Sequence, residues 1–215
     1  MSRGPDVARV GRRAILGGLA AVALAPRAAR GDAPPASLLD RIARARAPVR
    51  TLQGPFTQVR TMGLLATEVR SSGALALLRP DRLRWELAPP DEVVFFVGPE
   101  GLSYRSAHGQ GRLPAAGARL AGALDDLRTL LGGDLAHLRE RWDLRVVRDD
   151  ASGAELECVA RPGASTPLQS LRFALAPDLV RPTRAVLVEG ARDRTTIDFG
   201  TLVVDAPLDP SRMRP

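Results

Sequence analysis

The feature that most constrains the fold of this chain is a succession of strand-like segments joined by very short turns. Five alternating or apolar segments precede residue 107, and five more follow residue 141. Turn residues such as Pro80-Asp81, Pro89-Pro90-Asp91 and Pro177-Asp178 separate them. Parallel strands need crossover connections of a dozen or more residues, which these spacings do not provide. The sequence therefore predicts antiparallel strands that follow one another as a meander.

Two sets of predicted strands flank a helical middle section. The strands are expected at 52–61, 69–78, 83–87, 93–97, 102–106, 142–147, 155–161, 171–175, 183–188 and 195–204. Between the two sets, leucines at helical spacing predict a helix that ends at Gly132-Gly133. Asp134 is placed to cap a second, short helix that runs through Arg141.

A further helix is expected before the first strand. Ser37 suits the N-cap position, and Pro48 stops the helix. Leu38 and Ile42 would lie on its apolar stripe, whereas its arginines, Arg46 among them, would face water.

These elements predict one α+β domain with a long antiparallel sheet. A sheet of about ten strands tends to curl or close, because twist accumulates from strand to strand. Its inner face would then be concave and apolar. The helices are too few to cover that face as a layer, so we expect them to lie across its mouth as a lid. The segment 93–97 is apolar on both faces, which fits a strand buried on both sides and a cavity wall equally well.

A charged residue ends one of the predicted apolar rows. One face of the strand at 83–87 carries Leu83, Trp85 and Leu87. In the preceding strand, Arg79 follows Leu75 and Leu77 on the same face. Burying an unpaired charge is costly, so Arg79 either finds partners or extends to water from the strand end.

Residues 1–31 have the composition of an export signal. Arg12-Arg13 lies in a basic region, and the apolar run 14–25 is too short to span a bilayer. The order from Arg12 to Leu16 loosely resembles a twin-arginine signal. Ala29 and Gly31 suit cleavage just before Asp32, and Gly31 with Ala33 is a second option. Cleavage before Asp32 leaves 32–215 as a single domain in the periplasm. An uncleaved membrane anchor is the alternative.

The formal net charge of +7 does not indicate a nucleic-acid partner. Residues 1–31 contain six arginines and one aspartate, so they carry +5 of this charge and leave only +2 for the rest. The aromatic content of 4% also provides no platform on which bases could stack. We therefore expect no nucleic-acid partner.

Motifs for catalysis are missing from the sequence. It has no glycine-rich phosphate loop, metal-ligand cluster or Ser-His-Asp signature, and Gly109-Gln110-Gly111 is predicted to be a turn. Cys158 is the single cysteine, and in an oxidising compartment it is best explained as a small buried hydrophobe. As a nucleophile it would need a nearby base, and the only histidines are His108 and His137. We expect no enzyme activity, no metal and no cofactor.

Several motifs resemble those of the outer-membrane lipoprotein carrier (LolA) family. Leu52-Gln53-Gly54-Pro55-Phe56-Thr57-Gln58 resembles its F-x-x-x-F-T-Q opening. Gly73-Ala74-Leu75, followed by Arg79-Pro80-Asp81-Arg82-Leu83-Arg84-Trp85-Glu86, resembles its G-x-L … R-P-x-x-x-x-W core. Pro90-Asp91-Glu92, an apolar strand and Gly101-Leu102-Ser103-Tyr104 look like the next block. The resemblance continues to Asp205 in layout only, and residues 209–215 do not match the family's F-x-F-x-P-P-x-G tail.

The resemblance implies a curved antiparallel sheet that forms an unclosed β-barrel with a lid of short helices. It implies a periplasmic carrier that shields the acyl chains of lipoproteins and transfers them from the inner to the outer membrane. Cargo would come from an inner-membrane ABC lipoprotein-releasing transporter and pass to an outer-membrane lipoprotein receptor, and the carrier is expected to be a monomer.

The resemblance and the apolar faces together nominate site residues. The expected lipid-binding residues are Leu38, Ile42, Phe56, Leu75, Leu77, Leu83, Trp85 and Leu87. Arg79 matches the family's arginine that hydrogen-bonds backbone groups of the lid and holds the empty cavity shut. A guanidinium offers five donors, enough for carbonyl groups left without partners at helix ends.

Other functions use the same implied fold. A family of periplasmic sigma-factor regulators and mycobacterial glycolipid carriers share it. A periplasmic lipid-sensing regulatory module, which binds a partner protein, and a carrier of another lipid are therefore the alternatives.

Overall fold

The computed structural model describes residues 37–63, 67–112, 118–132 and 135–215, apart from the side chains of residues 118 and 136. The predicted export signal, its cleavage site and the proposed cap Asp134 lie outside the described residues. Residues Ala36–Pro215 form one compact unit. No helix in the described ranges combines the length and apolar character needed to span a membrane.

The described strands form one curved antiparallel sheet that does not close. They are β1 (Thr51–Met62), β2 (Thr67–Leu78), β3 (Arg82–Leu87), β4 (Val93–Gly98), β5 (Gly101–Ser106), β6 (Gly109–Arg112), β7 (Trp142–Asp150), β8 (Gly153–Ala160), β9 (Ser170–Leu175), β10 (Pro182–Val188), β11 (Arg194–Phe199) and β12 (Val203–Val204). The order is β6-β5-β4-β3-β2-β1-β11-β10-β9-β8-β7, and β12 pairs with the start of β1. The two predicted meanders therefore join where β1 pairs with β11.

Three α-helices accompany the described sheet: α1 (Leu38–Arg46), α2 (Ala118–Gly132) and α3 (Leu135–Arg141). The predicted cap of α1 is confirmed, because the Ser37 side chain accepts a 3.2 Å hydrogen bond from the backbone N–H of Asp40. A short 3-10 helix, Pro210–Met213, lies near the end of the chain. The α+β fold class with an unclosed, helix-lidded sheet is confirmed.

Two element predictions were wrong. The predicted turn at Gly109-Gln110-Gly111 is part of β6, which pairs with β5 although its glycines give no apolar alternation. The segment predicted as one strand at 195–204 is divided into β11 and β12, because its register against β1 shifts by one residue between the Phe56–Phe199 pair and the Gln53–Val203 pair. This segment passes so close to β1 that a Cβ at Gly54 would lie 2.7 Å from Leu202 Cδ2. Alternation within the strand does not reveal such a break.

The inner face of the sheet carries the hydrophobic core. Leu75 pairs with Trp85 and Leu77 with Leu83, and all four side chains are at most 3% exposed. Apolar side chains of α1 and α2 belong to the same buried cluster. The face that the sequence assigned to the core is therefore the face that the helices cover.

The strand β4 is covered on both faces. Phe95 pairs with Trp85 on the inner face, whereas Phe96 pairs with Arg84 on the outer face. Phe96 is nevertheless only 3% exposed, and Met213 of the C-terminal 3-10 helix, which packs over β2 and β3, is equally buried. The strand is therefore both part of the inner wall and buried on its other side, since Phe95 lies on the inner face of the sheet and Phe96 is buried on the outer face.

Candidate functional site

A cavity of about 180 Å³ lies between α2 and the inner face of the sheet. Strands β1, β3, β4, β10 and β11 form its floor and walls, and α2 forms its roof. Its apolar lining includes Trp85, Leu87 and Phe95 from the sheet and Leu120, Ala123 and Leu124 from α2. The cavity is therefore an apolar compartment beneath a helix.

Two larger clefts open elsewhere on the described residues. One of about 510 Å³ lies between β3–β6 and the C-terminal residues 213–215. The other, of about 740 Å³, surrounds Gly73 on β1, β2 and β3. No described residue of α1, α2 or α3 lines either cleft. Apolar ligands gain most where water is excluded, so the smaller cavity beneath α2 is the better candidate site.

The eight predicted lipid-binding residues are in one apolar cluster. Trp85 and Leu87 line the cavity itself. The other six are at most 6% exposed and lie in the core that adjoins it: Leu38, Ile42, Phe56, Leu75, Leu77 and Leu83. Leu87 is partly buried against the same core. Of the predicted set, therefore, only Trp85 and Leu87 face the cavity, and the rest of its lining was not nominated from the sequence.

Stacked rings lie between the buried core and the cavity. The ring centroids of Phe56 and Trp85 are 3.8 Å apart, with an angle of 25° between the planes. Gly73 makes room for this stack, because a Cβ there would lie 2.8 Å from Phe56 Cζ and 1.9 Å from the carbonyl oxygen of Glu86. The glycine of the G-x-L motif thus leaves the space that Phe56 and the Glu86 backbone occupy.

Arg79 follows β2 and reaches the C-terminal end of α1. Its Nη1 donates to the carbonyl oxygen of Arg46 and, at 3.3 Å, to that of Val49. The Arg46 carbonyl, at the end of α1, also accepts from the Val49 N–H at 3.1 Å, so Arg79 adds a charged donor where the helix ends. The Arg79 guanidinium, which would be costly to bury without partners, therefore pairs with backbone carbonyl oxygens.

A second arginine, Arg46, is buried among three backbone carbonyl groups. Its Nη1 donates to the carbonyl oxygen of Leu130 in α2 at 2.6 Å, its Nε to Leu179 at 3.1 Å and its Nη2 to Val180 at 3.0 Å. Its guanidinium carbon also lies 5.4 Å from the ring centroid of Phe173. One side chain thus links α1, α2 and the turn that follows β9.

The expectation that Arg46 faces water was wrong, since the residue is 3% exposed. The sequence does contain the signal, because Leu38, Ile42 and Arg46 recur every four residues on one helical face. Burial, together with a smaller effect of the Arg79 charge, lowers the pKa of Arg46 to about 10, against the opposing effect of the Asp178 charge. Even so, Arg46 remains a cation at neutral pH.

A buried carboxylate anchors the middle of α2. Asp126 accepts a 2.7 Å hydrogen bond from Thr166 and a 3.4 Å bond from the Trp142 indole, and its carboxylate lies 2.8 Å from Arg141 Nη2. Burial raises the pKa of Asp126 against the opposing effects of these partners. The network ties α2 to the start of β7 and to the loop before β9.

The cavity also has polar lining residues. Gln58, Arg60, Glu189 and Thr195 lie at one end of it. Arg60 Nη2 and Glu189 Oε2 are 3.7 Å apart, and the two side chains are 50% and 16% exposed. These residues were not predicted from the sequence, although Gln58 and Arg60 continue the inward-facing alternation of β1 after Phe56.

Cys158 lies outside the cavity lining, in the core. It is fully buried, as predicted for a small hydrophobe. Burial, followed by the charges of Asp126 and Glu157, raises the pKa of its thiol to about 12. Such a thiol is a poor nucleophile at neutral pH.

A family model described as outer membrane lipoprotein carrier protein LolA matches residues 47–213. The chain belongs to the LolA family. Members of the LolA family are periplasmic binding proteins with a carrier role for lipoprotein or lipid, and they are not enzymes. The helix-covered apolar cavity of this LolA-family chain agrees with that role.

No curated protein matches the chain significantly in sequence. Among solved structures, a DUF1329 family protein from Desulfovibrio piger has 11% identity and a TM-score of 0.49, covering 82% of this chain and 95% of its own. A LolA superfamily protein from Nitrosomonas europaea has 12% identity and a TM-score of 0.46, and the match covers 82% of this chain and 96% of that protein. The MucA/MucB complex of Pseudomonas aeruginosa contains a chain with 16% identity and a TM-score of 0.46, and the match covers 82% of this chain and 59% of that one.

Proposed function

We propose that this protein shields the acyl chains of lipoproteins in the periplasm and transfers them from the inner to the outer membrane. The observation that supports this proposal best is the apolar cavity beneath α2, together with the arginine bonds that hold α1 and α2 over it. The partners would be an inner-membrane ABC lipoprotein-releasing transporter and an outer-membrane receptor. No chemical step and no cofactor is needed for this task.

The described conformation would be the empty, closed form. Its cavity of about 180 Å³ is smaller than the roughly 300–1,000 Å³ of typical ligand pockets, so acyl chains need more room than it offers. Widening the cavity requires α2 to move away from the inner face of the sheet. The bond between Arg46 and Leu130 opposes that movement, and Arg79 holds the α1 end in place.

Acyl chains would enter beneath α2 and extend toward the buried core. Trp85 and Leu87 would meet them first, because both already line the cavity. The six buried residues would be reached as the helices separate: Leu38, Ile42, Phe56, Leu75, Leu77 and Leu83. Burial of each methylene group contributes about 0.8 kcal/mol, which is the driving force for opening.

A loading and transfer assay tests this function. The protein is incubated with a synthetic triacylated lipopeptide, and the bound and vesicle-associated fractions are measured after addition of acceptor vesicles. Leu87→Arg places a charge in the cavity and should abolish loading, whereas Val203→Arg, at an exposed position of β12, should leave it intact. Absence of loading in the unmodified protein contradicts the proposal. Loading without any transfer would instead favour a lipid sensor.

A further inference from the structure

The cleft of about 510 Å³ beside the C-terminal residues is separate from the cavity beneath α2, and the two have no described lining residue in common. It is open because the outer face of the sheet carries small residues there. Gly98 pairs with Gly101, and in the next cross-strand row Ser103 follows Phe96. Phe96 and Met213, each 3% exposed, supply apolar lining. The cleft therefore has room for a side chain beside an apolar surface.

The charges that line this cleft are unbalanced. Arg82 and Glu100 neutralise each other, since their nearest atoms are 2.8 Å apart. Arg112 of β6 and Arg214, which follows the 3-10 helix, also line the cleft. Both are exposed, and neither takes part in an ion pair within the described residues. The cleft is thus complementary to carboxylate groups rather than to cations.

The same cleft adjoins a free strand edge. β6 pairs with β5 on one side and has no strand neighbour on the other side within the described sheet. Such an edge presents a row of backbone N–H and C=O groups that can pair with another chain. Residues 110–112 of this strand line the cleft. An extended chain that pairs with β6 would therefore send alternate side chains toward it.

We propose that β6 and this cleft bind an extended segment of a partner protein by strand addition. The segment carries an apolar side chain with a carboxylate two residues away. The carboxylate lies across from Arg112, because opposite charges that face each other on neighbouring strands attract. Arg112 is in register with Ser103, and Gly101 lies two residues from Ser103 on the same face. The next position of the segment on this face, toward Gly101, therefore projects over the cleft and takes the apolar side chain.

This surface concerns a protein partner and not the acyl chains, so it goes beyond the proposed carrier function. A peptide tests it: fluorescein-labelled Thr-Asp-Thr-Leu-Thr-Asp-Thr has a carboxylate two residues from leucine on either side and so fits both strand directions. Its binding is measured by fluorescence anisotropy. Replacing both aspartates of the peptide by lysine should weaken binding ten-fold or more.

Variants of the protein test the two parts of the cleft. The double variant Arg112→Gln with Arg214→Gln should weaken binding of the peptide by about three- to ten-fold, as expected for two exposed ion pairs. Ser103→Phe fills the cleft and should weaken binding at least as much. The matched control is Arg145→Gln, an exposed arginine of β7, the edge strand at the other end of the sheet. This variant should bind the peptide as the unmodified protein does.

Methylation of backbone nitrogens in the peptide tests strand addition without changing the protein. In a ladder only alternate residues direct their N–H groups toward the neighbouring strand. Of the two alternate sets of methylated peptides, one should lose binding and the other should stay within about three-fold. Equal effects of the two sets overturn strand addition.

Further outcomes separate this surface from the carrier function and from a membrane. Loading of the triacylated lipopeptide should be unchanged in the double arginine variant, because the cleft and the acyl cavity share no described lining residue. Absence of peptide binding, or binding that neither the arginine nor the Ser103 variant weakens, overturns the proposal while the carrier function stands. Binding to phosphatidylglycerol vesicles that depends on the two arginines, without peptide binding, also overturns it and assigns the surface to a membrane.

Discussion

The guanidinium of Arg46 donates a 2.6 Å hydrogen bond to the carbonyl oxygen of Leu130. This bond connects α1 to the helix that roofs the cavity. Arg79, at the end of β2, in turn donates to the carbonyl oxygen of Arg46. Two arginines thus join β2, α1 and α2 in series. A ligand that lifts α2 must either break the first bond or move α1 as well, so its binding energy has to exceed that cost.

Replacing Arg46 should loosen the roof of the cavity. Arg46→Met removes three hydrogen bonds and leaves the carbonyl groups of Leu130 and Leu179 buried without donors. We expect a loss of roughly 1–3 kcal/mol in the free energy of unfolding and faster amide hydrogen exchange in α2. The control is Arg44→Met on the exposed face of α1, which should change neither measurement. Unchanged exchange in α2 would show that this bond does not hold the roof.

Replacing Arg79 should favour the loaded form. Arg79→Leu removes the donors to Arg46 and Val49 and adds apolar surface. Charge-assisted bonds contribute roughly 1.5–3 kcal/mol each, so retention of acyl ligand should rise ten-fold or more while transfer to vesicles falls. Arg82→Leu, which loses a surface partner, Glu100, serves as the control. Weaker retention, or unchanged retention and transfer, would leave Arg79 as a helix-end contact only.

Substitution of Gly73 should disturb the floor of the site. The Cβ of Gly73→Ala would lie 1.9 Å from the carbonyl oxygen of Glu86, so β2 and β3 must shift apart. We expect a loss of roughly 1–3 kcal/mol in stability, measured by denaturant unfolding. Gly111→Ala is the matched control, because its Cβ would meet Tyr104 at an ordinary 3.8 Å. Equal stability of the two variants would contradict the steric role of Gly73.

The pH dependence of stability should reveal Asp126. Its pKa in the folded protein is raised, chiefly by burial, so the folded state holds this proton more tightly than the unfolded state does. The contribution of Asp126 to stability is therefore present below its unfolded pKa and is lost as pH rises through the folded pKa. Relative to Asp126→Asn, the unmodified protein should lose stability as pH rises through this window. A difference that is constant with pH, or of opposite slope, contradicts this assignment.

Cys158 should behave as a packed side chain. Cys158→Ala should cost about 1 kcal/mol in the free energy of unfolding and leave acyl-ligand binding intact. The thiol pKa of about 12 and its full burial also predict very slow alkylation of the folded protein at neutral pH. Loss of binding with unchanged stability would instead assign a functional role to the thiol.

Most of the strand and helix positions were predictable because they depend on local periodicity. The alternation from Leu83 to Leu87 identifies which side chains face inward, and the structure buries Leu83 and Trp85 accordingly. β6 was missed because glycines carry no apolar pattern. The division between β11 and β12 was missed because it depends on a one-residue shift in their register against β1. Sequence periodicity within one strand contains no information about its register with another.

The sequence by itself determined the antiparallel meander, the apolar inner face and the polar character of the other face, since side-chain direction follows from a period of two. It also placed Arg79 at the end of an apolar row. Only the tertiary structure decided which groups meet: the Arg46 guanidinium with the carbonyl oxygen of Leu130, and Arg60 with Glu189 inside the cavity. These partners lie more than 80 residues apart in sequence, so only the packing of the helices and the pairing of β1 with β11 bring them together. Burial then determines how strong these interactions are, because the Arg46 guanidinium is shielded from water and has backbone carbonyl oxygens as its partners.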